Sequence, residues 1–271
     1  MKKTLLWIGR AGCALLALIT VCSGVLTGSA ASVAHNWYCV HVKGHVQPPI
    51  PAELSYIEEL DGYYIDRRHT MPDAEDKVIY LTFDVGYENG NVAAILDTLK
   101  AEGAVGAFFV LSHVVKNEPA LVTRMREEGH TVCNHTAHHK DMTRLDDAAF
   151  LEELKLLEAA CLETLGWTPA AYYRPPEGRF TEKNLVCAKE NGYRTIFWSF
   201  AYPDWDNDRQ MPPEKAKQIL LDNLHNGEVM LLHPTSATNA AILGDVLRQI
   251  KSQGYRFGTL DELTGGQSCD G

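Results

Sequence analysis

Apolar and polar positions alternate along the chain in two different rhythms. Residues 77–83 form a short apolar run of strand type, and 92–102 carry apolar residues at helical spacing. The alternation then repeats. Strand-like runs fall at 106–111, 194–199, 229–233 and 255–260. Helical spacing falls at 119–128, 146–165, 181–191, 212–225 and 237–253. Gly129, Gly166, Gly192, Gly227 and Gly254 stand at or just beyond the ends of these helices, where a left-handed cap suits glycine. Strands alternating with helices through short links predict an α/β fold with a parallel sheet or barrel.

Residues 35–76 break this rhythm. They hold Gln47-Pro48-Pro49-Ile50-Pro51 and a short helix-like stretch near 53–60, and read as an irregular lead-in arm. Residues 264–271 read as a loose tail. Residues 1–34 read as an export signal. Lys2, Lys3 and Arg10 come first, an apolar run follows over 11–26, and Ser32-Val33-Ala34 is a small-x-small cleavage site. The run is short for a spanning helix, which favours removal over an uncleaved anchor.

The chain has 271 residues and a formal charge of −10, and removing the basic start makes the remainder more acidic still. That disfavours nucleic acid as a partner. It also requires an anionic wall polymer to be recognised in a local groove. Cys39, Cys133, Cys161, Cys187 and Cys269 remain beyond the signal, an odd number with no CxxC pair. Neither a disulfide framework nor a cysteine zinc site is indicated.

Candidate chemistry gathers at strand ends and in the loops after them: Asp84, His135, His139, Arg174, Asp204 and His233. In a barrel those loops share one face. His135 and His139 are spaced i, i+4, so a helical turn would bring both imidazoles to one metal. A lone pair at that spacing is more often structural. Asp84, beside a metal, is a candidate general base, and Arg174 could hold it ionised. Alone, the two would read as a turn cap and a surface ion pair. His233, ending the apolar run 229–232, suits a general acid, with Asp204 tuning it or Arg174. A backbone N–H near Glu177, in the stiff Pro175-Pro176-Glu177-Gly178 loop, could face an oxyanion. Tyr87, Glu88, Asn89, Pro176, Glu177 and Trp205 are the candidate substrate contacts, Trp205 as a sugar-stacking wall. Cys133, Trp198, His130, His138 and Asp141 read as core or local hydrogen-bonding residues.

Thr82-Phe83-Asp84, His135-Thr-x-x-His139, Arg174-Pro-Pro-x-Gly178, Asp204-Trp205 and Leu231-x-His233 occur in this order. In them the stretch 77–263 resembles the polysaccharide deacetylase family, carbohydrate esterase family 4, with its NodB-homology domain. The resemblance implies an irregular (β/α) barrel and metal-dependent removal of acetyl groups from sugars. It makes Asp84 the base, His135 and His139 the metal ligands, Arg174 the orienting cation and His233 the acid. Gly86-Tyr-Glu-Asn-Gly90, Phe197-Trp-Ser199, Asn36-Trp37 and Gln47-Pro-Pro49 resemble a narrower group, the delta-lactam-biosynthetic de-N-acetylases of spore-forming bacteria. That likeness implies N-acetylmuramic acid in cortex peptidoglycan as substrate, after an amidase has removed the stem peptide.

One position departs from the wider pattern. Val85 stands where most of the family has a second Asp that binds the metal. Two imidazoles hold a metal more weakly than a full triad, and Zn²⁺ is the expected ion. Two other readings stay open. One is a deacetylase of N-acetylglucosamine or chitooligosaccharides. The other, which Val85 favours, is a silent glycan-binding module.

Overall fold

The computed structural model describes residues 33–265. The signal reading falls outside this range except for its last two residues, and so does most of the expected tail. The elements begin with strand β1 (Ala34–Asn36), a 3₁₀ turn (Ala52–Leu60) and strand β2 (Gly62–Tyr63). Then come β3 (Lys77–Val85), α1 (Asn91–Ala101), β4 (Ala107–Val110), α2 (Ser112–Asn117), α3 (Pro119–Glu127) and β5 (Thr131–Asn134). Helix α4 (Asp147–Leu165) leads to β6 (Ala170–Tyr173), β7 (Arg179–Thr181), α5 (Glu182–Glu190) and β8 (Arg194–Ile196). The chain closes with α6 (Pro213–Asp222), β9 (Glu228–Leu232), α7 (Ala237–Ser252), β10 (Tyr255–Phe257) and α8 (Leu260–Leu263).

Eight of these strands form one sheet, in the order β10-β3-β4-β5-β6-β8-β2 with β9 also on β3. Every pairing within it is parallel. The sheet curls until the chain just after β8 meets β9, where Phe200 bridges Met230. The result is the expected α/β architecture, an irregular barrel, and Ile65, just after β2, also bridges Glu228 of β9.

The period of two along β3 sorts its side chains between two cores. Ile79, Leu81, Phe83 and Val85 face outward and pack under the helices with Val92, Ile95 and Leu247. Val78 and Tyr80 face the interior with Phe109, Cys133, Tyr172 and Leu231. Thr82 and Asp84 continue the inward series, so Asp84 emerges at the C-terminal mouth. Each large side chain so buried contributes about 1.5–3 kcal/mol.

Several expectations need correction. The four-residue strands β5 and β6 and helix α2 were not anticipated from the pattern. The strand expected over 194–199 stops at Ile196. The arm is less irregular than its composition suggested. β2 adds to the main sheet beside β8, and β1 pairs antiparallel with β7. Trp37 of the arm donates from its backbone N to Gly178 O at 2.8 Å and from Nε1 to Trp198 O at 2.8 Å. Among the described residues no helix is long and apolar enough to cross a membrane.

Gly227 joins arm to barrel. It has φ +75°, its carbonyl accepts from Asp66 N at 2.8 Å, and a Cβ there would stand 2.5 Å from Asp66 O. Gly227→Ala combines a left-handed backbone with a backbone clash. It is expected to cost about 2–4 kcal/mol, read as a lower urea midpoint at unchanged slope.

Candidate active site

A cavity of about 580 Å³ opens at the C-terminal end of the strands. Asp84, Tyr87, His135, His139, Glu177, Trp205 and His233 line it. Sequence reasoning singled out all seven. Tyr202 and Thr235, which also line it, carry no sequence signal, and Trp198 lines it although its place in the sequence reads as core. Arg174 and Asp204 stand one layer behind, fully or almost fully buried.

Asp84 ends the inward series of β3, and Arg174 follows the end of β6. Arg174 Nη1 donates to Asp84 Oδ1 at 2.8 Å. Its other donors go to Ile196 O at 2.9 Å, Thr82 Oγ1 at 2.9 Å and Phe197 O at 3.1 Å. Its plane lies 4.1 Å from the centroid of Phe109. The surface ion-pair alternative for Arg174 therefore fails, because the side chain is wholly buried. Burial by itself would push the Asp84 carboxyl up. The positive charge of Arg174, with His135 and His233, outweighs it and holds Asp84 below the ordinary carboxylate range.

His135 follows β5, and its Nδ1 lies 3.0 Å from Arg174 O. A carbonyl only accepts, so Nδ1 carries the proton and Nε2 keeps its lone pair. Nε2 lies 3.7 Å from Asp84 Oδ2. Burial, reinforced by His139 and Arg174 against the opposing pull of Asp84, lowers the His135 pKa to about 4. The ring is neutral at ordinary pH. His139 is its neighbour, with ring centroids 5.0 Å apart.

The helical turn expected for this pair is absent. Residues 135–139 form a loop in which Thr136 and His139 have φ of +74° and +55°. Local hydrogen bonds impose that shape. Thr136 N donates to Asn134 Oδ1 at 2.8 Å, and His139 N donates to Thr136 Oγ1 at 2.9 Å. Glu153 of α4, buried, accepts from His138 N at 3.0 Å and from Lys140 Nζ at 2.7 Å. Glu153 sits in an amphipathic helix fourteen residues beyond His139. No local signal marked it.

Beside Asp84, on the neighbouring strand, His233 follows β9. Its Nδ1 lies 2.7 Å from Asp204 Oδ1, and its backbone N donates to Asp204 Oδ2 at 2.8 Å. Burial alone would lower the His233 pKa. The bond to Asp204 and the charges of Asp204 and Asp84 overcome it and raise the pKa above the ordinary imidazole value. Trp205 is 60 % exposed, its ring centroid 6.1 Å from that of His233. Glu177 turns the 176–178 loop with φ +56°. Tyr87 is bonded by Asn207 Nδ2 through its hydroxyl.

Three candidate substrate contacts fall elsewhere. The Glu88 carboxylate accepts from Gly90 N at 2.6 Å and Val92 N at 3.2 Å, where it caps α1. Asn89 Nδ2 donates to Thr235 O at 2.9 Å. Pro176 is buried beneath its loop. None of the three lines the cavity.

His135 offers a neutral, aimed Nε2, and His139 stands beside it at the cavity wall. Two imidazoles fit a divalent ion such as Zn²⁺ with its other positions open. Among the described residues no third His, Cys, Asp or Glu completes a cluster. Val85 faces the outer core and supplies no donor.

The comparisons agree with this geometry. The polysaccharide deacetylase family model matches residues 72–196. The peptidoglycan-N-acetylmuramic acid deacetylase PdaA of Bacillus subtilis is 36% identical over 250 residues, covering 89% of this chain and 93% of that protein. The peptidoglycan-N-acetylglucosamine deacetylase PgdA of Listeria monocytogenes is 34% identical over 190 residues, 70% of this chain and 39% of that protein. The solved structure of Bacillus subtilis PdaA, a family 4 carbohydrate esterase, superposes with a TM-score of 0.79 at 37% identity, covering 85% of this chain and 96% of that one. The chain belongs to the polysaccharide deacetylase family, the family 4 carbohydrate esterases.

Arg174→Met leaves Asp84 buried without its cation. It is expected to cost about 3–5 kcal/mol of stability at neutral pH, measured by denaturant unfolding. Because the Asp84 pKa is depressed in the fold, its paired carboxylate stabilises the native state above the unfolded carboxyl pKa. That contribution disappears as pH falls through the folded pKa, so the gap between variant and parent narrows in acid.

Proposed function

We propose that this chain is a peptidoglycan de-N-acetylase that removes acetyl from N-acetylmuramic acid in glycan already stripped of its stem peptide by an amidase. The product is on the route to muramic δ-lactam in spore cortex. The observation that carries the chemistry is the pair of buried dyads that open on one cavity from the ends of neighbouring strands β3 and β9: Asp84 with Arg174, and His233 with Asp204. A binding module has no need of a carboxylate held low and an imidazole raised side by side on one cavity. The muramic acid assignment is supported by PdaA, the relative matched over nearly its whole length.

In this scheme Asp84, ionised and fixed by Arg174, takes a proton from the attacking water. The new C–O bond forms at the acetamide carbon, and a loop N–H near Glu177 faces the oxyanion. His233 Nε2 then protonates the nitrogen as the C–N bond breaks, releasing acetate and a free amine. A divalent ion held by His135 and His139 would polarise the carbonyl and acidify the water. Trp205 and Tyr87 wall the sugar seat. The basic, then apolar start of the chain supports export to the cell envelope.

The test is incubation of the protein with amidase-treated peptidoglycan and, separately, with N-acetylglucosamine oligomers, with and without Zn²⁺. Mass spectrometry of the digested glycan should show acetyl lost from muramic acid and more of it with metal. Asp84→Asn should slow that loss by about 10²–10⁴-fold while keeping the fold. Acetyl loss confined to glucosamine would move the substrate to that sugar, in line with PgdA. A folded protein that binds glycan and releases no acetate would replace the enzyme reading with the binding-module reading.

A further inference from the structure

We propose that Asn239 is a positioning residue that keeps Asp204 aimed at His233, and that the Tyr202 hydroxyl holds the far end of the Asn239 amide in place. The proposal rests on His233 acting as the proton donor.

Asn239 lies in the first turn of α7 and is 1 % exposed. Its backbone N donates to Ser236 Oγ at 3.1 Å, the N-cap bond of α7. The two ends of an amide are alike in shape, and only the partners decide between them. Nδ2 donates to Asp204 Oδ2 at 2.6 Å and to His233 O at 3.1 Å. Both partners are acceptors, so the NH₂ group must face them. Oδ1 is left to accept, and the Tyr202 hydroxyl donates to it.

Asp204 thereby receives three donors. Asn239 and the His233 backbone N share Oδ2, and His233 Nδ1–H takes Oδ1. A carboxylate that accepts from three donors is fixed in its orientation. His233 is then held with Nδ1 protonated and Nε2 turned to the cavity. The other charged groups acting on His233 are Asp84, at the end of the neighbouring strand β3, and Arg174. Tyr202 also lines the cavity, so the lock ends at the surface that the substrate touches. Gln210 braces the same loop, donating to Asp204 O at 3.0 Å and accepting from Ser236 Oγ at 2.5 Å.

The experiment compares Asn239→Leu, Tyr202→Phe, Asp204→Asn and His233→Ala in the full chain, with acetate release followed across pH. Asn239→Leu keeps the volume and removes the donor. Its kcat should fall about 10-fold with KM changed by less than about twofold, the behaviour of a group that acts through another. Its alkaline limb should move to higher pH, because the Asp204 charge is no longer shared and falls on His233. Asp204→Asn should move that limb the opposite way. Tyr202→Phe should shift it in the Asn239→Leu direction by less, and it carries the test if Asn239→Leu does not fold. An unshifted limb in both Asn239→Leu and Tyr202→Phe, with kcat following the folded fraction alone, would overturn the positioning role. A His233→Ala variant with full kcat and an unchanged limb would overturn the underlying acid assignment instead.

Discussion

A guanidinium with no exposed surface governs this structure. Removing a charge from water costs several kcal/mol, and the interior must return that through close partners. Arg174 finds them on four walls of the barrel. Thr82 and Asp84 come from β3, the ring of Phe109 from β4, Asn134 O, which accepts from the Arg174 backbone, from β5, and Ile196 O from β8. The curl of the sheet brings these groups to one point, and the cation requires that they meet. The same contact leaves Asp84 ionised at the cavity mouth, so the demand of the buried cation and the need for a base are met by one bond.

Around that centre the cavity divides its polar groups by charge state. Asp84 is held below the ordinary carboxylate range and His135 is kept neutral. On the strand next to Asp84, Asp204 raises His233. Base and acid thus differ in the direction needed for one to take a proton while the other gives one. The loops between them carry backbone in the left-handed region at Thr136, His139 and Glu177, each held by local bonds or by proline neighbours. Rare backbone of this kind gathers where geometry matters more than stability.

Much of the site was legible because its residues sit in short motifs at strand ends, where a carboxylate, a histidine or an arginine interrupts an apolar run. The parallel α/β order was legible for the same reason: its helices are long enough to show their period. Four-residue strands such as β5 and β6 are too short to show one, and they vanished between glycine and the motif residues. The spacing of His135 and His139 was read as a helical turn, but i, i+4 also fits a loop with two left-handed residues. Only Asn134, Thr136 and Glu153 decide between them. Glu153, Thr82, Tyr202 and Asn239 share one trait. Each acts on a residue far away in sequence or through an element of ordinary composition, and their polar partners become visible only in the fold. Glu88 and Asn89 erred in the opposite way, for a Gly-rich loop rich in donors and acceptors had to satisfy its own helix start.

The most direct test of the central contact is a double-mutant cycle on Asp84 and Arg174, with kcat/KM for acetate release measured for Asp84→Asn, Arg174→Met and the pair. If Arg174 serves catalysis by holding Asp84, the double variant is no slower than Asp84→Asn alone. Losses that multiply in the double variant would show that the two act independently, and would contradict the account.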